Sequence, residues 1–162
     1  MPTARLRQPF AFPGMSFVCR HNQLVGYVDI DETFRVEFDL VVHGKKTEYY
    51  GSILHIGNDD KERIPGIWLQ PNSLRLHVRM SDEADYNQGY DPHEELVPDK
   101  KYTVKIEGDE ETVKYYLIEG DEKTVTFYLV KRGHMQRDNR PVYVGDPWYE
   151  PADATVSNLK IS

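Results

Sequence analysis

The feature that most constrains this chain is a hydrophobic period of two. In Phe34-Arg35-Val36-Glu37-Phe38-Asp39-Leu40, and again in Leu74-Arg75-Leu76-His77-Val78-Arg79-Met80, apolar residues alternate with charged or polar ones. Such alternation puts one set of side chains on each face of a strand, whereas an amphipathic helix repeats every 3.6 residues. Further strand-like runs lie at 23–28, 50–56, 64–69, 102–106, 112–118, 124–130, 141–144 and 154–161. Turn sequences separate them, among them His43-Gly44-Lys45, Gly57-Asn58-Asp59, Pro71-Asn72 and Lys131-Arg132-Gly133. No long helical pattern is present; the segment 92–98 has room for one helical turn. Ten or eleven short strands at regular spacing predict an all-β chain, an antiparallel β-sandwich or a barrel.

A local repeat supports consecutive hairpins. Glu107-Gly108-Asp109-Glu110 recurs twelve residues on as Glu119-Gly120-Asp121-Glu122, and Thr-Val pairs begin at Thr103, Thr112 and Thr124. A twelve-residue period with a Gly-bearing tip suits a three-strand meander and is too brief for a solenoid. No shift in composition marks a linker. The 162 residues are therefore expected to form a single domain, with 1–14 as an irregular N-terminal arm.

Composition excludes several classes of function. The net charge is -7 and no basic stripe is present, so no general affinity for nucleic acid is expected. No stretch approaches the run of about 18–20 apolar residues that a helical membrane span needs. One cysteine, Cys19, allows no disulfide framework and no Cys-based zinc site. It sits in the alternating run 15–20 and is expected to be a buried, unreactive thiol. The beginning of the chain lacks a continuous apolar stretch after its two arginines, so it does not read as a secretory signal. The protein is expected to be either intracellular or a module of a longer secreted chain, in which case it is extracellular.

The alternation assigns two faces. The core set is Val36, Phe38, Leu40, Leu74, Leu76, Val78, Val104, Ile106, Val113, Leu117, Val125, Phe127 and Leu129. The outward set carries Arg35, Glu37 and Asp39 from one strand, Arg75, His77 and Arg79 from another, and Tyr116 and Tyr128 from later ones. A one-residue slip would bury the charges, so the register is strongly fixed. Two uses of the outward set are open: a solvated face with weak cross-strand ion pairs, or a polar ligand platform with aromatic stacking surfaces.

Two loops add candidates. Within Ser81-Asp82-Glu83-Ala84-Asp85-Tyr86-Asn87-Gln88-Gly89-Tyr90-Asp91, the hard oxygen ligands Asp82, Asp85, Asn87 and Asp91 make a candidate calcium site. The spacing is not that of an EF-hand, and an acidic solvated loop is the alternative. Asn58, Asp59 and Asp60 offer a weaker calcium site or simply a hairpin turn. Tyr86, Tyr90, Trp148 and Tyr149 lie in turns, where binding groups concentrate, although Trp148 could fold back to cap the core. Trp68, between Ile67 and Leu69, is expected to be core. The six histidines show no zinc-ligand spacing.

Three stretches resemble laminin-G-like and concanavalin-A-like jelly-roll modules. They are Gly51–Gly57 with Arg63-Ile64-Pro65-Gly66-Ile67-Trp68-Leu69 and Leu74–His77, the run Lys101–Gly120, and the closing run Val142–Leu159 with its Gly145-Asp146-Pro147-Trp148-Tyr149 turn. The similarity spans about residues 30–162. It implies a jelly-roll β-sandwich of two curved sheets with a concave polar face. Such modules mostly bind glycans or proteins, often with calcium at the rim, and some relatives are glycoside hydrolases. The Glu-x-Asp-x-x-Glu strand of those hydrolases is missing here; the nearest carboxylate pairs are Glu37 with Asp39 and Asp29 with Asp31. The resemblance therefore implies a non-enzymatic lectin-like or adhesion module for a glycan or glycoprotein. A structural or self-assembling domain, including a homo-oligomer, is the second expectation and a glycoside hydrolase relative the third.

Overall fold

The structure, a computed structural model, describes residues 10–120, 122–130 and 136–162; for 122–130 it describes the strand but not the side chains. Thirteen strands and no helix are present among them. One sheet contains, in spatial order, β1 (Phe10–Ala11), β13 (Ala154–Ile161), β4 (Phe34–Val42), β9 (Lys101–Gly108), β10 (Thr112–Glu119) and β11 (Glu122–Val130), with β2 (Ser16–Val18) also paired to β13. We call it sheet A. Sheet B runs β3 (Leu24–Ile30), β12 (Arg137–Tyr143), β5 (Gly51–Ile56), β6 (Gly66–Leu69), β7 (Leu76–Arg79) and β8 (Gly89–Tyr90). All the strand pairs within the two sheets are antiparallel, and the apolar core fills the space between them. This is the all-β jelly-roll sandwich that the sequence implied.

The period of two is explicit in β4. Phe34, Val36, Phe38, Leu40 and Val42 are buried, while Arg35, Glu37 and Asp39 face away from the core. The β9–β10–β11 meander also forms, with Gly108 paired to Val113 near one turn and Glu119 paired to Glu122 at the other. Of the anticipated core, Val36, Phe38, Leu40, Leu74, Leu76, Val78, Val104, Ile106, Val113 and Leu117 are buried. Val125, Phe127 and Leu129 lie outside the described side chains. Burying one such side chain contributes about 1.5–3 kcal/mol of gross driving force. Cys19 is buried against the Ile53 carbonyl, and burial pushes its thiol up to about 12, which makes it unreactive.

Two features differ from expectation. The anticipated N-terminal arm contains β1, whose Phe10 and Ala11 pair with Ile161 and Lys160. The segment 92–98 forms no helical turn.

Sheet B behaves unlike β4. Every residue of β5 and β6 is buried. Both faces of these strands are therefore covered, and what covers the outward face is the candidate site.

Candidate functional site

The register of sheet B builds the floor. Ser52 pairs with Trp68 and Trp68 with His77; one step along, His55 pairs with Gly66 and Gly66 with Arg79. Because Ile67, Leu69, Leu76 and Val78 face the core, this set points the other way. A Cβ at Gly66 would lie 2.4 Å from the Trp68 ring, so only glycine lets the indole lie down over β6. Trp68 is 1% exposed, but it is covered from outside the sandwich and does not belong to the core cluster. That corrects its assignment to the core. Its Nε1 has no hydrogen-bond partner among the described residues.

Arg63 closes over this floor. Its guanidinium stacks on Trp68 at 4.7 Å and on Tyr86 at 5.3 Å. Nε donates to the Asp60 carbonyl at 2.8 Å, Nη1 to Asn87 Oδ1 at 2.6 Å and Nη2 to the Asp60 carboxylate at 3.2 Å. Its backbone is held from both sides by Ser81, which accepts from the Arg63 N–H and donates its own N–H to the Arg63 carbonyl. At 8% exposure an arginine needs such partners, because an unpaired buried charge costs several kcal/mol.

The far wall comes from the turn after β12. The buried Asp146 accepts the N–H groups of Trp148 and Tyr149 at 2.9 and 2.8 Å and donates its own N–H to Ser52 Oγ. This turn sets Tyr149 on Trp68 at 5.6 Å and Trp148 on His55 at 4.9 Å. The Tyr149 hydroxyl donates to Asp60 at 3.2 Å; burial and then the Asp60 charge push it up to about 12, so it stays a neutral donor. His55 donates from Nε2 to the Asp59 carbonyl at 3.0 Å, and burial holds its imidazole below the ordinary range.

His77 completes the cleft. Its Nδ1 lies 2.7 Å from Asp91 Oδ1. A carboxylate only accepts, so the proton sits on Nδ1 and Nε2 keeps its lone pair. Burial, then the nearby Arg79 charge, lowers the imidazole to about 4 against the pull of Asp91, so His77 is neutral near pH 7. Arg79 meets Asp91 with two hydrogen bonds, at 3.0 and 3.1 Å. Tyr50 packs on His77 at 4.7 Å and Tyr49 on Tyr149 at 6.0 Å. The result is a cleft of about 270 Å³ lined by Tyr49, Tyr50, Trp68, Tyr86, Tyr149, Arg63, Asp60, His77 and Asn87. It offers flat ring faces, a lone pair on His77 and the Asn87 amide NH₂, which has no partner among the described residues. These are the groups that sugar C–H faces and hydroxyls engage.

The anticipated platform is divided. His77 and Arg79 line or flank the cleft, whereas Arg35, Glu37, Asp39 and Tyr116 lie on the outward face of sheet A, across the core from it. Larger grooves exist there, of about 510 Å³ beside Arg35 and about 330 Å³ beside Glu37 and Asp39. No exposed ring lines them, and Arg35 is spent on Glu107 at 2.9 Å. Tyr128 pairs with Lys114 in the register of sheet A, and its side chain lies outside the described residues. Arg75 turns aside to the His93 carbonyl. Tyr90 is opposite Val78, hence on the core side, where it packs against the core cluster; it is not a cleft residue. Trp148 does not cap the core but covers His55 and Tyr143 on the outward face.

The calcium site is not formed by the residues expected to hold it. Asp82 Oδ1 accepts two N–H groups of its own loop, from Ala84 and Asp85, and Asp85 Oδ1 accepts that of Asn87. Asn87 Oδ1 accepts from both Arg63 and Arg79, and Asp91 is held by His77 and Arg79. Oxygen atoms facing guanidinium groups do not fit a cation, and among the described residues no cluster of three metal-binding groups occurs. Asp59 likewise caps its own turn, accepting from Lys61 and Glu62.

Sequence reasoning missed Arg63, Tyr49 and Tyr50, and it placed Asp60 only in a weak calcium site or a hairpin turn. The only signal for them was a pair of tyrosines before a strand and an arginine beside the Pro65-Gly66 step.

No family model matches the chain, and no curated protein matches it. Similar solved structures do exist. A Trypanosoma rangeli sialidase superposes with a TM-score of 0.55 at 15% identity over 80% of this chain, which spans only 20% of that protein's length. The exoplasmic/lumenal domain of VIP36, in its Ca²⁺/Man3GlcNAc-bound form, gives 0.55 at 9% identity, covering 85% of this chain and 70% of that one. Sheep galectin-11 in complex with glycerol gives 0.53 at 10% identity, covering 88% and 98%. At these identities the likeness is one of fold: the chain has the concanavalin-A-like jelly-roll sandwich. No helix among the described residues is long and apolar enough to cross a membrane.

Proposed function

We propose that this protein is a non-enzymatic carbohydrate-binding module whose site is the cleft on sheet B. The observation that carries it is the convergence of four tyrosine rings on a tryptophan floor, with Arg63, His77 and Asn87 held rigidly among them. Rings fixed in advance take up a sugar at little entropic cost, and the immobilised polar groups select its hydroxyls. Two proteins of like fold, VIP36 and galectin-11, were solved with Man3GlcNAc and with glycerol, and this supports the reading.

Our reading of binding without turnover draws support from the carboxylates at and beside the cleft, which are not free to act as the paired acid and nucleophile of most glycoside hydrolases. Asp60 and Asp91 are both occupied by arginines, and the Glu37–Asp39 pair is on the other sheet. We read the binding as independent of calcium, because Asn87 Oδ1 and both Asp91 oxygens face guanidinium groups. The test is calorimetric titration and a glycan array, each with and without EDTA. The expected result is a sugar signal unchanged by EDTA and weakened at least tenfold by Tyr149→Ala or Tyr50→Ala. Absence of any sugar signal overturns the reading, and release of product from a bound oligosaccharide overturns its non-enzymatic part.

A further inference from the structure

The aromatic surface does not end at the cleft. From Trp68 the rings continue across sheet B toward its other edge. Trp148 stands edge-on to His55 at 4.9 Å and to Tyr143 at 5.9 Å. Tyr27 pairs with Pro141, two residues before Tyr143, so Tyr27 and Tyr143 share the outward face. In the opposite direction Trp68 meets Tyr149 at 5.6 Å and His77 at 5.7 Å, and His77 meets Tyr50. The band thus crosses β3, β12, β5, β6 and β7, four inter-strand steps of about 4.8 Å or about 19 Å in all. The exposed aromatic side chains of the described residues, Tyr27, Tyr49, Tyr86 and Trp148, all lie on this one face. Singly exposed rings need no explanation; a contiguous series marks a surface that something covers.

Charge narrows the occupant. The two arginines of the site are each matched by a carboxylate: Arg63 by Asp60 at 3.2 Å and Arg79 by Asp91 at 3.0 Å. Lys61, at the rim, rests its ammonium over the Tyr86 ring at 5.4 Å. An anionic sugar would find the guanidinium groups already engaged and would meet Asp60 and Asp91 as well.

We propose that the outward face of sheet B holds an extended, uncharged polysaccharide several sugar units long, with a second stacking subsite on Tyr27, Tyr143 and Trp148. The proposal rests on the reading of the cleft as a sugar site. It is tested with the full chain by calorimetry and affinity electrophoresis, using cellobiose and cellohexaose, mannobiose and mannohexaose, and polygalacturonate as the anionic polymer. One hexasaccharide is expected to bind at least tenfold more tightly than its disaccharide. The double variant Tyr27→Ala with Tyr143→Ala should remove most of that gain while leaving the disaccharide affinity unchanged, and Tyr27→Phe should retain it. Equal affinity for the short and long forms, indifference of the long form to the double variant, or a preference for polygalacturonate that salt abolishes would overturn the extended subsite alone. Failure to bind any of these sugars would overturn the cleft reading along with it.

Discussion

The two outward faces of this sandwich are made from the same kind of strand and end up with opposite characters. On sheet A, Arg35 pairs across the strands with Glu107 opposite it, while Lys105, opposite Glu37, reaches Glu107 along its own strand. On sheet B, Ser52, Trp68, His77 and Arg79 occupy the equivalent outward positions, but loops carrying Arg63, Tyr86 and Tyr149 fold over them. A face open to solvent needs only charge, and its ion pairs are worth at most about 1 kcal/mol each. A covered face must satisfy every polar group it buries, and it thereby becomes rigid. Fixed geometry, more than the number of charges, separates a candidate binding surface from an ordinary wet one.

The sharpest way to break this comparison is to remove the floor. Trp68→Ala is expected to cost about 3–5 kcal/mol in urea unfolding, as large-to-small changes at buried aromatics do. Arg35→Ala should stay within about 0.5 kcal/mol. Comparable losses for the two variants would mean that sheet B's outward face is no more tightly built than sheet A's.

Arg63→Met comes next. It retains a chain that can lie on Trp68 but strips the donors from Asp60, Asn87 and the Tyr149 side of the cleft. The expected stability loss is about 1–3 kcal/mol, the cost of leaving polar groups unsatisfied. Sugar affinity should fall with it. Arg63→Lys should not restore either quantity, because an ammonium lacks the planar fork that reaches Asp60 and Asn87 together while stacking on the indole.

The same difference explains what could be seen in the sequence. Strands β4 and β13 and the meander were legible because one of their faces is wet, so hydrophobicity alternates. Strands β5 and β6 are covered on both sides, alternation disappears, and Trp68 looked like core. β1 and β8 are two residues long, too short for any periodic signal. Arg63 and Asp60 sit in a loop that acquires meaning only when Tyr149, 86 residues further on than Arg63, folds against it. Asn87 and Asp91 were recognised as oxygen donors, but sequence could not show that guanidinium groups rather than a cation face them. Tyr90 was misplaced because its direction depends on pairing with Val78, a contact across a loop.

A smaller effect separates the faces by pH. His77 has an ordinary value of 6.5 and is lowered to about 4 by burial and by Arg79. Between those values the unfolded chain takes up a proton that the folded protein refuses. The stabilisation is complete above pH 6.5 and is lost as pH falls toward 4. Urea unfolding of wild type should therefore weaken across that window, and His77→Gln should remove part of the slope. His55, also held low by burial, accounts for a share of what remains. Identical slopes for wild type and His77→Gln would show that the cleft does not desolvate His77.

The smallest expected effect lies on sheet A, and it is the one that most directly tests where a ligand can bind. Arg35 and Glu107 form a 2.9 Å ion pair, with Arg35 half exposed and Lys105 also reaching Glu107. Water competes for both charges, salt screens them, and each long side chain loses freedom in pairing. A double-mutant cycle with Arg35→Ala and Glu107→Ala should give a coupling below about 1 kcal/mol, shrinking further in high salt. All three variants should bind the same oligosaccharide as wild type, with unchanged affinity. A coupling of several kcal/mol would mean that sheet A's face is organised like sheet B's. Loss of sugar binding in Arg35→Ala, with its stability intact, would move the ligand to the groove beside Arg35 and reverse the assignment of the two faces.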